Sequence, residues 1–229
     1  MATLEADLER ARDLDVSALA DAIESIGFEC TRCGACCTAH ETDAGEREPH
    51  TATVFPDEVR RLIDAGGDAR GEELDWRDVA RPMPFGLAEG EGGPEGETFE
   101  WALGTDDCGD CVFYTEEGGL GACTVHEDRP LICQTYPFSV ALEGTSQPMG
   151  DPVDEEGIVR AHECEGLGRE IDRADAEALA ETLKERAVRE LEEAIAVRDN
   201  YRPVSPGAGE VVVHDSEGAK RSDGTRYES

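Results

Sequence analysis

The sequence predicts an α+β fold, a small irregular domain stapled by metal in which short antiparallel strands are flanked by N- and C-terminal helices. Three observations support this prediction. Apolar residues recur at spacings of three and four near both ends of the 229-residue chain. Short runs rich in β-branched and aromatic residues lie between these ends. The nine cysteines are found between residues 30 and 164.

The N-terminal segment, residues 1–29, is predicted to be helical and amphipathic. Leucine, valine and isoleucine recur at helical spacing across residues 3–26, which indicates either one bent helix or two short helices. Asp15 can cap the second helix, and Gly27 can end it.

Residues 30–170 are predicted to form a cysteine-cluster domain. Its first part, residues 30–37, is too rich in cysteine for an ordinary helix, and Gly34 gives the backbone freedom that a ligand-bearing loop requires. A proline–aspartate pair that starts at Pro56 then opens a short helix. The glycine pair that starts at Gly66 is expected to close this helix.

The middle of this domain combines a predicted loop with short strands. Residues 86–98 are rich in glycine and acidic residues, so we predict a flexible acidic loop. From Phe99 to Leu142, β-prone runs are separated by turn residues, which indicates two or three strands. The loops between these strands are expected to carry Cys108, Cys111, Cys123 and Cys133.

The C-terminal part begins with the longest predicted helix, residues 171–200. Leucine, alanine and valine recur there at helical spacing, and Asp172 or Asp175 can cap its start. Residues 201–229 are polar and rich in glycine and proline, so we predict a disordered tail.

The charge of the chain is strongly negative. It has 54 acidic residues against 21 basic ones, which gives a formal net charge of −33. Such a surface repels nucleic acid and anionic membranes, so neither is expected as a partner. The acidic residues are spread along the chain and lysine is almost absent. We interpret this pattern as a halophilic adaptation to molar intracellular salt, where self-repulsion is screened.

Neither a membrane span nor a secretory signal is found in the sequence. No apolar run is long enough to cross a bilayer, and the N-terminus lacks the basic and apolar parts of a signal peptide. We therefore expect a soluble, cytoplasmic protein. Thiols stay reduced in that compartment and the cysteine count is odd, so metal binding or redox chemistry is favoured over a disulfide framework.

The densest group of cysteines is the CxxCxxCC run formed by Cys30, Cys33, Cys36 and Cys37. Thiolates two residues apart in a tight turn can bind one ion, as in zinc ribbons and iron–sulfur loops. Adjacent residues usually point in different directions, so Cys36 and Cys37 either serve different metals or one of them is not a direct ligand. Nine thiols exceed the four that one site requires, so two sites are possible by count.

Two further blocks follow this run. Cys108 and Cys111 form a CxxC pair, and CVFY…GACTVHEDRPLICQTYPF spans residues 111–138. HECEGLG then spans residues 162–168. Together with CTRCGACC at 30–37, the last two blocks resemble the YkgJ-type family of cysteine-cluster proteins, whose CxxCxxCC domain is associated with zinc or iron chelation.

This resemblance implies a metal-binding protein with eight cysteine ligands. A more distant resemblance, to the cysteine-rich part of flagellin lysine N-methylases, implies an iron–sulfur cluster. Cys108 is extra to the family pattern, and its role as a further ligand is left open. The ligands that the pattern implies are Cys30, Cys33, Cys36, Cys37, Cys111, Cys123, Cys133 and Cys164.

The histidines are weaker candidates than the cysteines. His40, His126 and His162 lie near cysteines in the sequence, but each fits an ordinary structural position better. An all-thiolate set suits both Zn²⁺ and iron, and the lack of well-placed histidines argues only against a mixed zinc site. The number of thiols in a cytosolic protein favours an iron–sulfur cluster over Zn²⁺.

Two functions fit these observations. The first is a metal-binding protein that holds an iron–sulfur cluster or Zn²⁺ in a structural or metal-handling role. The second is an iron–sulfur-dependent redox or modifying enzyme, either an oxidoreductase or one distantly like the lysine N-methylases. The CxxxCxxC spacing of radical S-adenosylmethionine enzymes is missing, because His40 stands at its third position. The sequence identifies neither a catalytic residue nor a protein partner.

Overall fold

The computed structural model describes residues 3–41, 45–142, 145, 152–154 and 157–228, and this part of the chain contains both helices and strands. The predicted α+β class is therefore confirmed. The helices are α1 Leu4–Arg12, α2 Val16–Ile26, α3 Pro56–Arg70, α4 Trp76–Val79, α5 Leu131–Thr135 and α6 Arg173–Asn200, with 3₁₀ turns at Ala35–Cys37 and His126–Asp128.

The strands are short, and most pair with an antiparallel neighbour. They are β1 His40–Glu41, β2 Arg47–Glu48, β3 Thr53–Val54, β4 Ala80–Pro82, β5 Ala88–Gly90, β6 Gly93–Thr98, β7 Trp101–Leu103, β8 Tyr114–Glu117, β9 Leu120–Cys123, β10 Phe138–Val140, β11 Pro152–Asp154, β12 Val159–His162, β13 Val211–Asp215 and β14 Gly218–Arg221. The pair formed by β6 and β13 is parallel. Within the described residues, no helix is both long and apolar enough to span a membrane.

The chain folds into two compact units, each of which gathers segments that are distant in sequence. The first unit comprises Met1–Cys36, Thr115–Ala122 and Arg129–Ala194. The second unit comprises Cys37–Tyr114, Cys123–Asp128 and Ile195–Ser229. The four segments predicted from the sequence follow chain order instead, and their boundaries stay predictions; residues 1, 2 and 229 lie outside the described residues.

The first unit begins with two separate helices rather than one bent helix. Asp15 lies between them, and its carboxylate accepts a hydrogen bond from the N–H of Ala18 at 2.9 Å. Gly27 ends α2 with a positive φ of 77°, a backbone conformation that glycine adopts without strain. The predicted cap and the predicted end of α2 are therefore confirmed. At α6, the carboxylate of Asp172 accepts from the N–H of Asp175 at 2.9 Å.

The core of the first unit contains a buried ion pair beside its apolar residues. The guanidinium of Arg186 on α6 lies 2.8 Å from the carboxylate of Glu190, and both side chains are buried. Arg186 also donates to the hydroxyl of Thr135 and to the carbonyl of Phe138, each at 3.0 Å. The Phe138 ring contacts Phe28 edge-on. These contacts anchor the α5–β10 segment, which precedes the last cysteine block.

Within the described residues, the second unit contains the two-stranded sheet β1–β2 and two larger sheets. One has the order β3–β7–β4, and the other has the order β14–β13–β6–β5. Trp101 of β7 is buried, and its indole N–H donates to the carboxylate of Asp215 at 2.8 Å. Lys220 of β14 lies 2.8 Å from the same carboxylate, so this buried cation is neutralised within the unit.

The helix that starts at Pro56 is longer than predicted. It continues through Gly66 and ends at Gly71, which has a positive φ of 71°. Gly66 is buried, and a Cβ atom at that position would lie 2.8 Å from the side chains of both Leu74 and Phe113. Close packing, and not helix termination, explains this glycine, so the predicted end was wrong.

Two segments that were predicted to lack regular structure contain strands. Residues 86–98, predicted as a flexible acidic loop, include β5 and β6, which pair with each other. The predicted disordered tail, residues 201–229, includes β13 and β14. Strand β13 buries Val212 and Val213 and pairs with both β6 and β14. Both predictions were wrong because composition does not reveal that the two segments pair with each other, through the distant strands β6 and β13.

Candidate metal centre

All nine cysteines lie in the described part of the chain, and none of them forms a disulfide. Cys36 belongs to the first unit and Cys37 belongs to the second, so the adjacent pair is divided between the units. The cysteines of the first unit are Cys30, Cys33, Cys36, Cys133 and Cys164. Those of the second unit are Cys37, Cys108, Cys111 and Cys123.

In the first unit, the chain before Cys30 pairs with the chain after Cys164. The N–H of Glu29 donates to the carbonyl of Gly166 at 3.0 Å, and the N–H of Gly168 donates to the carbonyl of Gly27 at 3.0 Å. These antiparallel bonds hold the start of the CxxCxxCC loop against the last cysteine block. The backbone therefore joins two cysteine segments that are far apart in the sequence.

This pairing depends on a glycine at position 166. A Cβ atom there would lie 2.3 Å from the carbonyl oxygen of Glu29, a distance that two non-bonded atoms do not reach. Gly27 is under the same constraint, because its Cβ atom would lie 2.4 Å from the carbonyl oxygen of Arg169. Both glycines permit the close approach of the two segments, and neither was identified from the sequence as part of the site.

The CxxCxxCC loop contains two residues whose backbone φ angle is positive. Arg32 has a positive φ of 59°, and Gly34 has one of 81°. Such a φ strains a residue with a side chain. The loop compensates with two bonds to Gly121, which accepts from the Nε of Arg32 at 3.0 Å and donates to the Arg32 carbonyl at 2.7 Å. Strand β9 therefore fixes the turn between Cys30 and Cys33.

Cys164 is the thiol of the last block, and it interacts electrostatically with the loop. Burial raises the pKa of the Cys164 thiol, whereas the N–H of Gly166, 3.4 Å from its sulfur, acts in the opposite direction. The charges on Cys36, Cys33 and Cys30 raise this pKa further. A bound cation would relieve the repulsion among them.

Tyr136 is a residue near these thiols that the sequence analysis did not identify as functional. Its hydroxyl donates to the carbonyl of Glu163, the residue before Cys164. Burial raises the pKa of this phenol, and the charges on Cys164, Cys36 and further acidic groups add to the effect. Its position in the Tyr136-Pro137-Phe138 motif was the available signal, but that motif alone does not reveal where the hydroxyl lies.

The thiols of the loop are accessible to solvent. Cys30, Cys33 and Cys36 are exposed, and Cys164 is half-buried. A cleft of about 810 Å³ opens beside Cys30. Phe28, Ile171 and Leu179 form its apolar lining, and its acidic lining consists of Glu24, Glu29, Glu170, Asp172 and Asp175.

The remaining cysteine of the first unit, Cys133, lies on helix α5 and not in a loop as predicted. The helix begins after Pro130, whose carbonyl accepts from the N–H of Cys133 at 2.9 Å. A proline at the cap position pre-sets the backbone for this turn. The chain therefore turns at Pro130 and continues into a helix instead of the predicted loop.

The histidines near the cysteines have structural partners. The Nδ1 of His126 lies 3.1 Å from the Glu127 carboxylate at an exposed 3₁₀ turn. The Nε2 of His162 lies 3.0 Å from the hydroxyl of Ser139, and both side chains are buried. His40 is exposed, 3.5 Å from a carboxylate of Glu48. These contacts agree with the preference for ordinary structural positions.

The donor atoms fit a thiophilic metal centre by their chemistry and by backbone placement. In the described parts of the chain, no three histidine, cysteine or acidic side chains are already arranged as the ligands of an ion. Rotation of exposed cysteine side chains would have to complete the arrangement, and exposed side chains can rotate because little surrounds them. Four thiolates are the ligand set of both structural zinc sites and iron–sulfur clusters.

One of three comparisons with known proteins gives a match. Neither the search of curated proteins nor the search of solved structures found a match to the chain. A family model matches residues 29–165, which is more than half of the chain, and it is described as "CxxCxxCC: Putative zinc- or iron-chelating domain". The match begins just before Cys30 and ends just after Cys164, so it includes all nine cysteines. The chain belongs to the CxxCxxCC family of zinc- or iron-chelating domains.

Proposed function

We propose that this protein binds an iron–sulfur cluster or Zn²⁺ through Cys30, Cys33, Cys36 and Cys164. The observation that carries the proposal is the backbone pairing between Glu29 and Gly166, because it joins the loop cysteines to Cys164. Three ligands then come from one loop and the fourth from a distant block, a distribution typical of cysteine metal sites.

An iron–sulfur cluster is the preferred occupant. Its thiolate ligands would be Cys30, Cys33, Cys36 and Cys164, and the cluster would supply electron-transfer capacity or structural cross-linking. The backbone N–H of Gly166 donates to the sulfur of Cys164, and such bonds stabilise the negative charge of a thiolate-ligated centre. Zn²⁺ has the same ligand preference and remains the alternative occupant.

The exposure of the centre supports metal handling as its role. A structural zinc site is closed by its four ligands and surrounded by protein. Here Cys30, Cys33 and Cys36 are exposed, so a metal donor or acceptor can reach the ligands. The acidic residues of the cleft beside Cys30 favour the approach of cations over anions.

The experiment is metal and sulfide analysis of the full chain purified without oxygen. We expect a brown protein that contains iron and acid-labile sulfide. Replacing Cys33 or Cys36 by serine should abolish this content, because a hydroxyl is a poor ligand for both occupants. Ala35→Ser places the same hydroxyl in the same exposed loop without removing a ligand, so this variant should keep the centre.

Each outcome of this experiment has a defined meaning. Colourless protein that binds zinc, part of which is lost in the Cys33→Ser variant, would identify Zn²⁺ as the occupant and leave the ligand assignment intact. Protein that retains neither iron nor zinc would overturn the proposed function. Equal metal content in the Cys33→Ser variant and the parent chain would overturn the ligand assignment.

A cluster-dependent redox or modifying enzyme is the second candidate function. The cleft beside Cys30 favours it, because a substrate bound there would lie next to a ligand of the centre. Bleaching by dithionite, with recovery after oxidation, would support this candidate. A centre whose spectrum does not respond to reductant would exclude it.

A further inference from the structure

The cysteines of the second unit form a separate group, and its first element is a tight loop around Cys108. The carboxylate of Asp106 accepts hydrogen bonds from the N–H groups of Cys108, at 2.8 Å, and of Asp110, at 3.0 Å. Gly109 has a positive φ of 83°, and its N–H donates to the carbonyl of Asp106 at 2.9 Å. These bonds fold the CxxC pair of Cys108 and Cys111 into a knuckle, the form in which such pairs bind one ion.

A second segment of the same unit lies against this loop. The N–H of Cys111 donates to the carbonyl of Cys37 at 2.8 Å. Two residues later, the N–H of Ala39 donates to the carboxylate of Asp110 at 2.8 Å. The backbone that carries Cys37 is therefore fixed alongside the end of the CxxC loop.

The third segment carries Cys123. The residue after it, Thr124, donates through its N–H to the carbonyl of Phe113 at 2.9 Å. Phe113 follows Cys111 by two residues, so Cys123 is held near the same loop. Its backbone position thus depends on the same chain segment that holds Cys37.

Burial also differs among these four thiols in a way that suits a partly enclosed ion. Cys111 is buried, Cys37 and Cys123 are half-buried, and Cys108 is exposed. Because Cys108 is exposed, little surrounds its side chain and its thiol can rotate. The acidic groups beside the loop are already engaged, since Asp110 also lies 3.2 Å from the guanidinium of Arg47.

We propose that Cys37, Cys108, Cys111 and Cys123 hold a second metal ion, a thiophilic divalent cation such as Zn²⁺, within the second unit. The inference rests on the proposed metal-binding function and extends it, because it assigns a ligand role to Cys108. On binding, each thiol releases its proton to solvent and forms one sulfur–metal bond, and no oxidation or reduction takes place. The tetrahedral set of four thiolates is the preferred environment of Zn²⁺.

Zinc titration of variants that lack the first centre tests this assignment. The full chain with Cys33→Ser and Cys36→Ser is reduced, loaded anaerobically with Zn²⁺ and passed over a desalting column, and its zinc content is measured. We expect about one tightly bound Zn²⁺ per chain. Adding Cys108→Ser removes a proposed direct ligand. It should therefore weaken zinc binding by more than the roughly 10–100-fold that is typical when a hydrogen-bond partner of a ligand is lost. Cobalt in place of zinc should show the bands of tetrahedral thiolate coordination, and Cys108→Ser should weaken them.

Matched variants keep this experiment interpretable. Cys108 is exposed, so its replacement leaves the core intact. Asp107→Asn is the control, because it changes the exposed neighbouring residue without removing a thiol. Asp107→Asn should leave zinc affinity unchanged. Cys108→His supplies another metal ligand and should restore binding, with an altered cobalt spectrum.

Two results would overturn the assignment. Absence of zinc from the variant with Cys33→Ser and Cys36→Ser would overturn the proposed second site without contradicting the proposed first centre. Unchanged zinc affinity in the Cys108→Ser variant would show that Cys108 is not the fourth ligand. Absence of any metal from the parent chain would instead contradict the proposed function of the first unit.

Discussion

The two units present their cysteines in different ways. In the first unit, Cys30, Cys33 and Cys36 are exposed on a loop, and Cys164 is half-buried. In the second unit, Cys111 is buried, and Cys37 is half-buried. The exposed cysteines of the first unit therefore contribute mainly as candidate ligands, whereas Cys111 also fills space in the core of its unit.

The two units also differ in what fixes their cysteine loops. The first unit relies on the close approach of two backbone segments, which glycine at positions 27 and 166 permits. The second unit relies on side-chain oxygens, because Asp106 and Asp110 accept the N–H groups of its loop and of Ala39. Substitution of Gly27 or Gly166 should therefore affect the first centre most. Substitution of a buried side chain such as Cys111 should affect the second unit most.

The largest effect is expected from Gly166→Ala in the first unit. The new methyl group would lie 2.3 Å from the carbonyl oxygen of Glu29, so the two backbone segments must separate. We expect a loss of about 3 kcal/mol in unfolding free energy, together with loss of metal from the first centre. Urea unfolding and metal analysis measure the two effects.

Gly168→Ala is the matched control for this change. Gly168 has a positive φ of 76°, but a Cβ atom there would meet no other atom within 4 Å. Only backbone strain remains, so we expect a loss of about 1 kcal/mol with metal retained. Equal effects of the two alanines would show that the close approach at Gly166 is unimportant.

A smaller effect is expected when a buried and an exposed cysteine are replaced by serine. Cys111→Ser places a hydroxyl in the core of the second unit, whereas Cys36→Ser places one on an exposed loop. With a chelator present, so that metal loss does not contribute, Cys111→Ser should lower the unfolding free energy by about 2 kcal/mol. Cys36→Ser should leave it nearly unchanged. Equal destabilisation by the two serines would remove the proposed contrast between the units.

The smallest expected effect concerns the pH dependence of the second unit. His50 is buried, and burial, followed by the charge of Arg81, lowers its pKa to about 4, whereas Asp110 acts in the opposite direction. The unfolded chain takes up a proton near pH 6.5, so stability is complete above that pH and is lost as the pH falls towards 4. At pH 5.5, the loss relative to pH 7.5 should be about 1 kcal/mol.

His50→Gln removes this titration. The substitution also lowers the unfolding free energy through altered packing, by the same amount at every pH. This contribution drops out when the unfolding free energy of the variant at pH 5.5 is subtracted from that at pH 7.5. We expect this difference to be smaller than in the parent chain by about 1 kcal/mol, measured by urea unfolding at both pH values. The same pH dependence in both proteins would show that His50 is not the responsible group.

Much of the helical structure could be predicted from the sequence, because the signals that define it are local. The cap at Asp15 and the end at Gly27 involve atoms a few residues apart, so the sequence contains both. Gly66 shows the limit of such reasoning. Its role is set by contact with Leu74 and Phe113, and no local pattern distinguishes a packed glycine from one that ends a helix.

The chemistry of this protein follows from its sequence alone, because the spacing of thiols defines a metal-binding run and the family to which the chain belongs. The grouping of the thiols depends instead on the tertiary structure. Cys164 shares a region with the loop cysteines because Glu29 pairs with Gly166, and Cys37 is held beside Cys111 by a backbone bond. Strand β6 likewise pairs with β13, which lies more than 100 residues later in the sequence, as well as with its neighbour β5. Contacts between residues distant in sequence are made by folding alone, and spacing along the chain does not contain them.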